Sequence, residues 1–227
     1  LLHPDGGASD PSSGRSPRDI LSTTIGDEIR LSLGPDAKIF GVSTKDRAAI
    51  GATGHAGTAF WYSTSFSTYI TSTFYLDAYP GWVQEWTNRQ LVQNYVDTSW
   101  SLMKDPALYT FRDYDDQEWE KYYENWGIVF DHPYGKSDFP LFQGFIETSP
   151  AADELTLNFV RAMIEGEGIG ADAVTDYLAI SLNSVDYIGH AFGPSSLEAE
   201  DNLKRLDKGL SDFFDYLDER IGLDNVL

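Results

Sequence analysis

Residues 177–221, YLAISLNSVDYIGHAFGPSSLEAEDNLKRLDKGLSDFFDYLDERI, join an apolar run, a polar turn and a long amphipathic pattern without interruption. Tyr177 to Leu182 is short, mostly apolar and unbroken, the pattern of a strand covered on both faces in a largely parallel sheet. Asn183 and Ser184 mark its carboxyl end, where open α/β sheets gather ligand groups. Asp186 and His190 follow at that end. Gly193 and Pro194 then turn the chain, and Ser195 with Glu198 three residues on predicts a capping box at a helix start. Leu203, Leu206, Leu210, Phe213 or Phe214, Leu217 and Ile221 recur at intervals of three and four, so one apolar stripe is expected to pack on the sheet. Glu200, Asp201, Lys204 and Asp212 fall off that stripe.

Upstream, Ser149 and Pro150 read as an N-cap and first helical residue. Leu155, Phe159, Val160, Met163 and Ile164 form a helical stripe that ends at Gly166, Gly168 and Gly170. Near the start, residues 1–17 are rich in Gly, Pro, Ser and Asp and read as loop. A helix is predicted from about Arg18 to Leu33, with Ile20, Ile25, Ile29 and Leu33 facing inward and Gly34–Pro35 as a stop. Ile39 to Thr44 reads as a strand.

All six Trp residues lie between Phe60 and Phe145. There, Thr68 to Tyr75 alternates like a strand and Trp82 to Val96 reads as a helix, with Trp82, Trp86, Leu91 and Tyr95 as packing residues. The expected fold class is therefore α/β: a largely parallel sheet flanked by helices, carrying an aromatic-rich insertion. The boundaries read from composition are 1–59 for the first part of the core, 60–148 for the insertion and 149–227 for the second part.

With 36 acidic against 16 basic residues and a formal charge of −20, the chain repels nucleic acid and anionic lipid, which argues against either as a partner. It has no cysteine, so any metal must use oxygen and nitrogen ligands, and a cysteine nucleophile is excluded. No apolar segment is long enough to span a bilayer, and Leu1 to Pro17 lacks the parts of a signal peptide.

Asp186 and His190 are good donors for a zinc-like ion, and equally a helix salt bridge or turn cap. Lys45 and Arg47 stand two apart after the strand at Ile39. An ammonium and a planar guanidinium suit an oxyanion, although cation pairs also occur simply as solvated surface. His55, between glycines, reads as a structural hydrogen-bonder. The aromatics of 60–145 read as core before sugar or base platform. Asp113, Asp115, Asp116 and Glu118 read as a solvated acidic loop without calcium-loop spacing, and His132 carries no signal by itself.

The wording around the acid and the imidazole is more specific: S-x-D-x-x-G-H-x-x-G-P-x-S-x-E-x-x-D, from Ser184 to Asp201. It resembles the metal-binding segment of the alkaline phosphatase superfamily. GVSTKDRAAI with the following GATGHAGTAFWY is similar to the Lys-x-Arg segment of zinc-dependent, threonine-nucleophile alkaline phosphatases of the PafA type. The resemblance implies that Asp186 and His190 are zinc ligands, in a site of two zinc ions per complete enzyme. It also implies that Lys45 and Arg47 are catalytic, binding the transferring phosphoryl group of a phosphate monoester. The family's first metal-binding Asp, Thr nucleophile and phosphate-contacting Asn have no match here, nor do its Asp-His pair and last His. The resemblance thus implies a fragment of a periplasmic or otherwise exported phosphatase, inactive alone. Two other expectations stand beside it: a phosphodiesterase or nucleotide pyrophosphatase of the same superfamily, and a non-catalytic binding module using the aromatic insertion.

Overall fold

A computed structural model describes residues 1–4 and 14–227; of the expected loop at 1–17, residues 5–13 lie outside the described part. In chain order the elements are α1 (Ile25–Leu33), β1 (Ile39–Ser43), α2 (Asp46–Thr53), β2 (Thr58–Ser63), β3 (Thr68–Ile70), α3 (Gly81–Asn88), β4 (Ser99–Trp100), β5 (His132–Pro133), α4 (Phe142–Glu147), α5 (Ala151–Glu167), β6 (Tyr177–Ser181), α6 (Ser184–Ala191) and α7 (Leu197–Arg220). They form two compact units: Leu1–Gln90 with Asn158–Leu182, and Leu91–Leu157 with Asn183–Leu227.

The first unit holds a four-stranded sheet in the order β3-β2-β1-β6. β1 runs parallel to both β2 and β6, with Ser43 opposite Trp61 and Ser181, while β3 pairs antiparallel with β2. Alternate residues of β2 face opposite ways, as a strand's period of two requires. Ala59 and Trp61 join Ala49, Ile50 and Ile70 in one cluster beside α2. On the other face Phe159 of α5 meets the rings of Phe60, Tyr69, Trp82 and Trp86 at 4.4–5.4 Å. The mostly parallel, helix-flanked sheet is the architecture expected. β6, however, is half-buried along its whole length instead of covered on both faces, because among the described residues it is an edge strand.

α1 starts at Ile25, not Arg18. Thr24 and Asp27 make the capping box, and Ser16 separately caps a short 3₁₀ turn at Pro17–Asp19. The inward face is Gly26 and Asp27, while Ile25 and Leu33 are exposed. The reason is close helix contact: a Cβ on Gly26 would stand 2.5 Å from the Thr53 carbonyl oxygen of α2. Gly41 of β1 is similarly confined, since a Cβ there would stand 2.8 Å from the Ala49 oxygen and 2.7 Å from Thr53 Cγ2. Gly41→Ala is expected to destabilise the fold by about 1–3 kcal/mol through overpacking, read as a lower urea midpoint at unchanged m-value.

The unit boundaries differ from those read from composition. β2 begins at Thr58 within the main sheet, and Trp82 and Trp86 pack on Phe159, so residues 60–90 group with the sheet. The predicted helix at 82–96 is two pieces, α3 and a 3₁₀ turn at Leu91–Tyr95, parted at Gln90 with φ +47°.

The second unit groups 91–157 with α6 and α7 around Trp100, Trp126, Phe145 and Phe192, all buried; Trp126 and Phe145 stack at 4.5 Å. The aromatics of 60–145 therefore form two cores. On α7, Phe213 and Leu217 are buried, but Leu203 and Phe214 are about half exposed. The N-cap of α7 is Ser196, whose Oγ accepts from Ala199 N at 3.0 Å. Ser195 is not the cap, and the Glu198 carboxylate instead meets His132, 3.1 Å away with both side chains fully buried. Asp201, expected off the packed face, is fully buried. It accepts from Trp100 Nε1 and Met103 N at 2.7 Å each, from the Tyr109 hydroxyl and from Arg205 Nε.

Candidate active site

Lys45 and Arg47 are placed by the end of β1. Ser43 Oγ accepts from Lys45 N at 3.0 Å, and Lys45 occupies the N-cap position of α2 with extended backbone. The cations thus stand at the amino end of α2, where the aligned peptide dipoles favour an anion. Asp46 between them does not cancel this, since its carboxylate pairs with Arg15 Nε at 2.5 Å and accepts from Arg47 N at 2.7 Å. Lys45 is half-buried and Arg47 exposed.

Asp186 and His190 lie one turn apart on α6, with Oδ1 and Nε2 separated by 3.4 Å. Their side chains are half and three-quarters exposed. α6 has no side-chain cap of its own from Asn183. Buried Asp153, in the first turn of α5, accepts from Asn183 N at 2.9 Å and Ser184 N at 3.2 Å, filling the role of a cap. Burial pushes the Asp153 carboxyl up to about 6, against the hydrogen bonds from Ser184 and Asn183. Ser184 Oγ donates to Ser149 O at 2.9 Å. These bonds set the helix, and with it the acid and imidazole.

Two ligands of a tetrahedral zinc, each about 2.0–2.2 Å from the ion, stand about 3.3–3.5 Å apart; the Asp186–His190 spacing fits one edge of that polyhedron. Among the described residues no three His, Cys, Asp or Glu side chains converge as ligands.

β1 and β6 are neighbours running the same way, so the chain leaves both at the same end of the sheet: Lys45 follows two residues after Ser43, and α6 begins three after Ser181. His55 is structural, as its setting between glycines suggested. Its backbone N and that of Ala56 donate to Asp27 Oδ1 at 2.7 and 2.8 Å, and its ring Nδ1 lies 3.3 Å from Oδ2. Burial opposes ionisation of Asp27, yet these donors and Thr24 N hold its carboxyl down at about 2. Asp153, Glu198, Asp201 and His132 are buried polar anchors that the local sequence does not mark. Glu198 and Asp201 stand within the quoted motif, but nothing in their spacing marks them as buried.

This sheet and these motifs belong to one class of protein. A profile of the type I phosphodiesterase / nucleotide pyrophosphatase family matches residues 24–227, and the chain belongs to that family. Alkaline phosphatase PafA of Elizabethkingia meningoseptica is 37% identical over 234 residues, which is 100% of this chain and 42% of PafA. Alkaline phosphatase PhoV of Synechococcus elongatus is 37% identical across 93% of this chain and 39% of its own length. The crystal structure of wild-type PafA superposes with a TM-score of 0.87 at 36% identity, over 95% of this chain and 42% of that one. The chain thus spans about two fifths of the length of these relatives. No helix among the described residues is long and apolar enough to cross a membrane.

Proposed function

We propose that this chain forms part of a zinc-dependent phosphatase, acting outside the cytoplasm, that hydrolyses phosphate monoesters through a covalent phospho-enzyme, with the nucleophile supplied from outside these 227 residues. The observation that carries the reading is the emergence of both motifs, Lys45-x-Arg47 and Asp186-x-x-Gly189-His190, from the same end of paired parallel strands. Asp186 and His190 supply an oxygen and a nitrogen donor to one of two zinc ions. Bound zinc in such a site activates the nucleophile and shields the leaving oxygen. Lys45 and Arg47, helped by the amino end of α2, bind the phosphoryl oxygens and stabilise the charge that builds on them in transfer. In a chain of charge −20 this local cationic end also offsets the repulsion that a dianionic ester otherwise meets.

The first test is metal binding by the chain itself. Zinc titration followed by the imidazole NMR signal of His190 is expected to weaken at least about tenfold in Asp186→Asn, a loss known even for residues that only orient a ligand. Equal zinc affinity in wild type and variant sinks the assignment. The family's own description favours diesters as a second reading, and the relative rates of aryl phosphate mono- and diester hydrolysis by the complete protein decide between them.

A further inference from the structure

The second unit buries a titratable cluster that the proposed chemistry leaves unused. Glu198 in the first turn of α7 and His132 in β5 are both fully buried, with Oε1 and Nε2 3.1 Å apart. The rings of Trp100, Trp126, Phe130 and Phe192 stand 4.7–5.3 Å from the imidazole. Charge within such a lining has little solvation and requires a partner. His132 offers at most one positive charge, and its other ring nitrogen already faces the Trp126 carbonyl oxygen at 3.3 Å.

Three carboxyls share that setting. Asp115 lies within hydrogen-bonding reach of Glu198, and Glu120 stands in the field of Glu198, Asp115 and Asp116. Two ionised carboxylates have only acceptors to offer each other. Glu198 Oε2 and Glu120 Oε1 are buried without a partner, an exception that calls for a physical cause. Protons supply one: a carboxyl that keeps its proton becomes a donor and removes a buried charge. The described residues contain no convergent set of three metal-ligating side chains, which favours protons over a cation.

We propose that the carboxyls of Asp115 and Glu120, set against buried Glu198, form a proton-held latch, keeping the 115–132 segment docked on α6 and α7 and loosening when the protons leave. Lys121 N donates to the Ala191 carbonyl at the end of α6 at 2.8 Å, and Phe130 N donates to Asp115 at 3.3 Å. Burial pushes Asp115 up to about 6, with Glu198 adding to it and Phe130 N and His132 opposing. Burial likewise pushes Glu120 up to about 7, with Glu198, Asp115 and Asp116 adding to it and Gln117 N opposing. Both carboxyls titrate below 5 when free. The folded state therefore holds protons that the unlatched state lacks, and the latch is full in acid and weakens as pH rises through 6 and 7.

Amide hydrogen exchange of the 227-residue chain at pH 5.5 and 8.0, corrected for intrinsic rates, tests this. Amides of 117–130 are expected to open at least about tenfold more at pH 8.0, one pKa unit's worth of linkage, while those of β1 stay unchanged. In the Asp115→Asn, Glu120→Gln double variant, whose neutral amides cannot ionise, that difference is expected to vanish. An equal opening of wild-type 117–130 at both pH values overturns the latch, a result that needs no variant to fold. The same acceleration in the double variant overturns it too, as does protection restored at pH 8.0 by added Ca²⁺ or Zn²⁺ in the wild type alone, which makes the cluster a cation site.

Discussion

Asp201→Ala is expected to lower the unfolding free energy by about 3–5 kcal/mol, the cost of stripping one partner from a buried charged network. The carboxylate sits at zero exposure on α7 and takes four donors: Trp100 Nε1, Met103 N, the Tyr109 hydroxyl and Arg205 Nε. Truncation leaves Trp100 and Tyr109 with buried donors and takes the carboxylate from an Arg205 guanidinium that also donates to the Ser101 carbonyl. Each orphaned donor costs on its own. The loss falls on the strand at Ser99–Trp100 and the turn through Tyr109, so both indole burial and urea midpoint are expected to drop together. Asp201→Asn keeps the acceptor oxygen and is expected to recover part of the loss. A change under about 1 kcal/mol in Asp201→Ala means that the network is replaceable by water and that the anchor is elsewhere.

In the complete protein, Arg47→Ala is expected to cut phosphate monoester hydrolysis by about 10²–10³-fold, the usual effect of removing one donor that stabilises charge in a transition state. Lys45→Ala is expected to do the same, and the double variant less than the product of the two, since both act on one group. Arg47→Lys is expected to recover little, because an ammonium lacks the planar fork that meets two oxygens at once. Zinc affinity is expected to stay at the wild-type value in all of these, as neither side chain is a donor to metal. If zinc affinity falls along with the rate, the cations support the fold of the site instead of the phosphoryl group. If the rate survives both substitutions, the phosphate role of this end of α2 is gone.

The same chemistry explains which parts of the molecule were legible in advance. The stripe of Leu155, Phe159, Val160, Met163 and Ile164 emerged as a buried helix face because burial at 3.6-residue spacing leaves a periodic trace. The end of β1 was legible from Ile39 to Thr44 for a similar reason. The start of α1 lies seven residues beyond the expected Arg18, at the capping box of Thr24 and Asp27, because Pro17–Asp19 forms a separate 3₁₀ turn capped by Ser16. Glu198 looked like the second half of a capping box, a local role, yet its partner is His132, 66 positions away.

What the chain alone determined, then, was the order of strand and helix, the cationic pair after β1, the acid and imidazole one turn apart, and the overall negative charge. These depend on near neighbours, and near neighbours are written in the sequence. Only the tertiary structure decided that β6 lies beside β1, that residues 60–90 share the sheet's core, and that Asp153, Glu198 and Asp201 turn inward. Whether a carboxyl faces water or a buried donor depends on residues tens of positions away, and the spacing of polar residues carries no trace of that.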